Sequence, residues 1–94
     1  FLTDFGRTPK INKNGGRDHH PGVYSLALAG GGIRGGQVYG SSDRKGAEPA
    51  SNACSPADIH ATVFKAMGID NRTELHDMLG RPFQICDGQP LPLF

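Results

Sequence analysis

The chain has 94 residues, 36% of them hydrophobic, which allows one small domain or a piece of a larger one. A formal charge of +1 and a pI near 8.0 supply no field that argues for nucleic acid or a membrane surface. No apolar run approaches the roughly 18 residues of a membrane span.

Fourteen glycines and seven prolines make the chain loop-rich, and it opens at Phe1 inside an apolar run. Both features predict a piece of a larger domain, with packing partners upstream. Cys54 and Cys86 match neither a C-x-x-C nor a zinc spacing. Two cysteines allow one disulfide, but burial as small hydrophobes is the expected role of both.

Phe1 to Asp4 reads as the end of a buried strand. Gly6, Pro9 and the run Asn14-Gly15-Gly16 then predict an irregular loop up to His20. From Gly22 to Ala29, GVYSLALA is an apolar run with β-branched and aromatic residues, which predicts a strand inside a sheet. If the two strands run antiparallel, the loop joins adjacent ends and Asp4 and His19 share one sheet edge; a parallel pairing separates them.

Gly30, Gly32 and Gly35 spell G-x-G-x-x-G after that run. A dinucleotide fingerprint needs a helix next, whereas Gln37 to Gly40 reads as a short strand. The glycines are therefore expected to form a tight turn, and Ser41 to Ala53 a polar loop.

The strongest local signal follows. Ser55 suits an N-cap, Pro56 the first helical position, and Asp58 the third, where a carboxylate can close a capping box. Ile59, Val63 and Met67, widened by Ala66, predict an apolar stripe on a helix over 56–67. Cys54 is placed to staple onto Ile59. Gly68 is the expected left-handed stop, and Ile69 can close a Schellman ending on Phe64. His60 lies off the stripe and is expected at the surface.

Asn71-Arg72-Thr73 matches a glycosylation sequon, a pattern common by chance. Thr73 to Met78 predicts a turn or short helix with His76 exposed. Phe83 to Cys86 predicts a last strand, Asp87-Gly88 a turn, and the proline-containing tail from Gln89 to Phe94 an edge segment or packed extended arm.

The loop from Asp4 to His20 gathers chemistry-bearing side chains: Asp4, Arg7, Arg17, Asp18, His19 and His20. Carboxylate and imidazole are the ligands of zinc and similar ions, and guanidinium suits an oxyanion. Asp4 with one or both histidines falls short of a complete catalytic metal site, so further ligands must come from outside the chain. A solvated surface loop is the competing reading.

DFGRTP, GGRDHHPG, LALAGGGIRGGQVYGSSD, SPADIHATVFKAMGID, GRPF and DGQPLPLF occur in that order. Together they resemble the C-terminal end of the domain-of-unknown-function family 1501, sulfatase-like proteins of the alkaline phosphatase superfamily. The resemblance implies an α/β fold: residues 1–94 would be the C-terminal part of an α/β/α sandwich with a central mixed sheet. It also implies a two-metal site holding zinc or calcium/magnesium, with the nucleophile upstream and no catalytic residue in this piece.

By the same resemblance Asp4 and His19 are metal ligands. His20, in the motif's variable slot, is the alternative. Phe5 stands where superfamily phosphatases usually carry another histidine, so one metal position would be altered, weakened or lost, and Arg7 would contact the substrate oxyanion.

The implied activity of the full-length protein is hydrolysis of a small phosphate or sulfate ester, in the periplasm or outside the cell, with 1–94 inactive alone. The expected partners are the N-terminal part of the same domain and the ester, without nucleic acid or a membrane span. The Phe5 replacement favours a different class, a non-catalytic binding or structural module on the same scaffold.

Overall fold

A computed structural model describes residues 1–94. The chain is α+β, with one helix and three two-stranded antiparallel sheets. Strands β1 (Gly6–Arg7) and β2 (His19–His20) form the first sheet, and β3 (Ser41–Ser42) and β4 (Pro49–Ser51) the second. Helix α1 (Pro56–Ala66) precedes β5 (Glu74–His76) and β6 (Pro82–Gln84), which form the third. No pair is parallel, and no mixed sheet forms within these residues. No helix is long and apolar enough to cross a membrane.

The chain divides into two compact units, Phe1–Ala29 with Gly36–Ala53, and Gly30–Gly35 with Cys54–Phe94. In the first, Phe1–Arg7 and His19–Ala27 run as two antiparallel limbs. Gly6 pairs with His20 and Arg7 with His19. Farther out, Phe1 and Ala27 exchange both backbone bonds, at 2.8 and 2.9 Å.

Gly22 to Ala29 joins no ladder, contrary to the strand expected there. A buried strand needs partners on both edges, and this chain supplies one residue on one edge. Gln37 to Gly40 is likewise not a strand. The segment read as a polar loop, Ser41 to Ala53, contains the β3–β4 hairpin instead. Its turn is closed by Asp43, whose Oδ1 accepts from Ala47 N at 2.9 Å and whose N–H donates to Glu48 O at 2.9 Å. Aspartate supplies this local acceptor by itself, without apolar periodicity.

In the second unit α1 forms where its caps place it. Asp58 N donates to Ser55 Oγ at 3.3 Å and Ser55 N to Asp58 Oδ2 at 2.8 Å, a closed capping box. Gly68 takes φ 79°, and Ile69 N reaches Phe64 O at 2.8 Å, closing the helix end.

The buried face is not the expected stripe. Ala61 and Thr62 are fully buried, whereas Val63 is 41% and Met67 68% exposed. The cause is the C-terminal arm, which lies on the small-residue face. Gln89 N donates to Asp58 Oδ1 at 2.9 Å, Leu91 N to Thr62 Oγ1 at 2.9 Å, and Cys86 Sγ to Ala57 O at 3.1 Å.

Gly88 sits against the first turn so closely that a Cβ there would lie 2.1 Å from Ala57 O. Leu91 and Leu93 are buried, so the tail is the packed arm. Cys86 is buried as expected and Cys54 exposed, contrary to expectation; both are free thiols. Burial and then the Asp58 charge push the Cys54 thiol above its usual range.

Residues 74–76 are a strand, not the turn or short helix expected between Thr73 and Met78. The β5–β6 hairpin is fixed by Asp77, whose Oδ1 accepts from Leu79 N at 2.8 Å and Arg81 N at 2.9 Å. Its Oδ2 meets Arg81 Nε at 2.6 Å. Asn71 is 7% exposed, and its Nδ2, the atom a glycan would be attached to, donates to Gly88 O at 2.7 Å. His60 and His76 are exposed, as expected.

Candidate functional site

The site is the neck of the first loop, where β1 meets β2. Side chains on a strand alternate between faces, so the paired Arg7 and His19 share the front and His20 takes the rear. Phe5, two residues before Arg7, also reaches the front. Its ring centroid lies 3.9 Å from that of His19, with the planes tilted by 32°. The Arg7 guanidinium carbon is 5.5 Å from the Phe5 centroid.

The rear is pinned twice. A Cβ at Gly6 would lie 2.3 Å from Val23 O, so only glycine lets the limbs approach this closely. His20 Nε2 donates to Ala47 O at 2.7 Å. A carbonyl only accepts, so Nε2 carries a proton, and in the neutral ring Nδ1 keeps a free lone pair. Ala47 is itself held by Asp43, whose carboxyl the Ala47 N–H, more than any other group, keeps below its usual range.

Above the neck, the loop is closed by its own polar groups. Asn12 Oδ1 accepts from Asn14 N at 3.0 Å and Gly16 N at 2.9 Å, while Asn12 Nδ2 donates to Asp18 Oδ1 at 3.0 Å. Arg17 Nη1 donates to Thr8 O at 2.9 Å and Pro9 O at 2.7 Å. Arg7 Nη1 donates to Arg17 O at 3.2 Å. Asn12 as the centre of this loop was not anticipated from sequence; Asn preceding an Asn-Gly turn is the available signal.

The antiparallel condition for bringing the two limbs together is therefore met. His19 and Arg7 come together with Phe5. Asp4, in the bend before β1, is exposed and makes no ion pair with either histidine. Neither Asp4 nor the His19 ring nitrogens form a hydrogen bond. No three His, Cys, Asp or Glu side chains gather in a group able to hold a metal ion. The donors suit a divalent cation in kind, but this chain does not complete a site for one.

A family model described as "Protein of unknown function (DUF1501)" matches residues 1–92. No curated protein matches the chain. No solved structure matches it.

Proposed function

The chain belongs to this family of unknown function, and from that footing we propose that it is the C-terminal segment of a metal-dependent phosphatase- or sulfatase-like hydrolase. The observation carrying the proposal is at the neck. Arg7, Arg17, Asp18 and His20 there spend side-chain atoms on hydrogen bonds within the chain, while Asp4 and His19 spend none. A carboxylate and an imidazole left without hydrogen bonds beside a neck pinned at Gly6 and His20 are suited to a ligand from outside.

Asp4 and His19 are the proposed metal ligands, with His20 through Nδ1 as the alternative, and the ions are zinc or calcium/magnesium. Arg7 keeps further N–H groups for an oxyanion of a phosphate or sulfate ester. When bound, the ions would activate a nucleophile supplied upstream and neutralise transition-state charge. The proposed scaffold is an α/β/α sandwich with a central mixed sheet, where Gly22–Ala29 would find its missing strand partners. Export to the periplasm or beyond the cell belongs to the same reading.

Two further observations support a larger domain. The accessible surface is 7138 Å². Even two separate globules of half this mass would together expose only about 6,300 Å². Phe1, Leu2, Val38, Met78 and Leu79 are among the apolar side chains left open.

A non-catalytic module on the same scaffold is favoured by Phe5, whose ring covers His19 on the front face. The full-length protein decides between the two through its metal content and aryl phosphate and sulfate hydrolysis, each compared with Asp4→Ala and His19→Ala. Loss of both properties supports the hydrolase. Unchanged metal content and activity in both variants would remove the ligand assignment, and bound metal without hydrolysis would favour the module.

A further inference from the structure

We infer that the loop above the neck is a binding site for a small organic anion that carries hydroxyl groups, with Lys10 and Lys13 as its cations. Between Thr8 and Asp18 the chain borders an open cavity of about 630 Å³. Small-molecule pockets fall in this size range. Lys10, Ile11, Lys13, Asn14 and Asp18 are among the residues that line it.

The groups that shape the cavity are not the groups left for a ligand. Thr8 Oγ1 donates to Lys10 O at 2.9 Å and accepts from Asp18 N at 3.1 Å, and Asn12 is spent on Asn14 N, Gly16 N and Asp18 Oδ1. Backbone bonds from Thr8 N to Asp18 O at 3.0 Å and from Asn12 N to Gly16 O at 2.8 Å close the loop beneath and above them. By contrast, the Lys10 and Lys13 amines and the Asn14 side-chain amide enter no hydrogen bond or ion pair within the chain, and Asp18 engages only its Oδ1.

The lining selects a chemical class. From Thr8 to Asp18 three cations, Lys10, Lys13 and Arg17, stand against one carboxylate, so the loop repels a metal ion and attracts an anion. The Asn14 amide and Asp18 Oδ2 offer donors and acceptors, both of which a hydroxyl group satisfies. Ile11, 51% exposed, adds apolar surface for a carbon skeleton. A bare inorganic anion would use the lysines alone, whereas a sugar bearing a carboxylate or a phosphate uses the whole set. The site requires no metal and is independent of the roles assigned to Asp4 and His19.

Calorimetric titration of the full-length protein tests this with glucuronate and glucose 6-phosphate, against glucose and acetate as the hydroxyl-only and anion-only controls. Glucuronate contains no ester, so its binding is separate from any hydrolysis, and it is the deciding probe. It is expected to bind more tightly than either control; the glucose 6-phosphate arm shows whether phosphate serves better than carboxylate. Lys10→Gln and Lys13→Gln each weaken glucuronate binding by about 1.5- to fivefold, the range of exposed charge pairs. Asn14→Ala, which removes an amide the loop does not use, weakens it by about two- to tenfold. Lys45→Gln, at a lysine that does not line the cavity, leaves it unchanged. An equal loss in Lys45→Gln would reduce the effect to general charge attraction and overturn the site. Glucuronate affinity no better than that of acetate, or unmoved by both Lys10→Gln and Lys13→Gln, would overturn it as well.

Discussion

Asp58→Ala removes a carboxylate that joins the start of α1 to the C-terminal arm. Oδ2 accepts from Ser55 N at 2.8 Å and Oδ1 from Gln89 N at 2.9 Å, so two backbone donors lose their partner at once. Hydrogen bonds to a charged acceptor are each worth roughly 1.5–3 kcal/mol. The carboxylate is open to water, which recovers part of that, and the expected local cost is about 2–3 kcal/mol. Asp58→Asn keeps one acceptor oxygen and is expected to cost about half as much.

The pH dependence follows from the same contacts. The Gln89 N–H first, and the Ser55 N–H next, hold the Asp58 carboxyl below its usual range. A depressed acid stabilises the fold fully above its unfolded value, about 3.9, and that contribution is lost as pH falls through the folded value. Amide exchange at Gln89, Leu91 and Ser55 reads this locally, without requiring the whole chain to unfold as one transition. Exchange is expected to accelerate in Asp58→Ala at neutral pH, and the gap from wild type to narrow in acid. A local change within about 0.5 kcal/mol at neutral pH would refute the link between cap and arm.

Gly6→Ala drives a Cβ towards Val23 O and should cost about 1–3 kcal/mol or more, with the β1–β2 pairing opening first; exchange at the neck amides measures it. Asn71→Ala leaves the Gly88 carbonyl without its buried donor and is expected to cost about 1–3 kcal/mol by denaturant unfolding.

Helix α1 was readable in the sequence because its signals are local: Ser55, Pro56, Asp58 and Gly68 act within a turn of their own positions. Its buried face was not, because Ala61 and Thr62 are covered by an arm from distant sequence, and apolar spacing alone pointed to Val63 and Met67. The β5–β6 hairpin was missed for a different reason. Asp77 sets its turn by hydrogen bonding, and hydropathy patterns carry no trace of that.

At the site, the antiparallel geometry that brings Arg7 and His19 together was an explicit alternative in the sequence. Phe5 read there as a missing ligand, since a ring contact between residues fourteen positions apart is invisible to spacing. The apolar run Gly22–Ala29 has the composition of a strand, but composition cannot provide a neighbouring edge.

The arm on α1 also carries a rule about which letters each position tolerates. Residues 89 and 91 hold the helix through main-chain N–H groups, so most side chains at 89 would preserve the grip, while proline at either position would abolish a donor. Position 88 obeys the opposite rule: its carbonyl and its lack of a side chain are both used, and no other amino acid supplies both. Substitution libraries across 86–93 should therefore show a permissive site immediately beside an invariant one, a contrast set by backbone geometry and not by side-chain hydrophobicity.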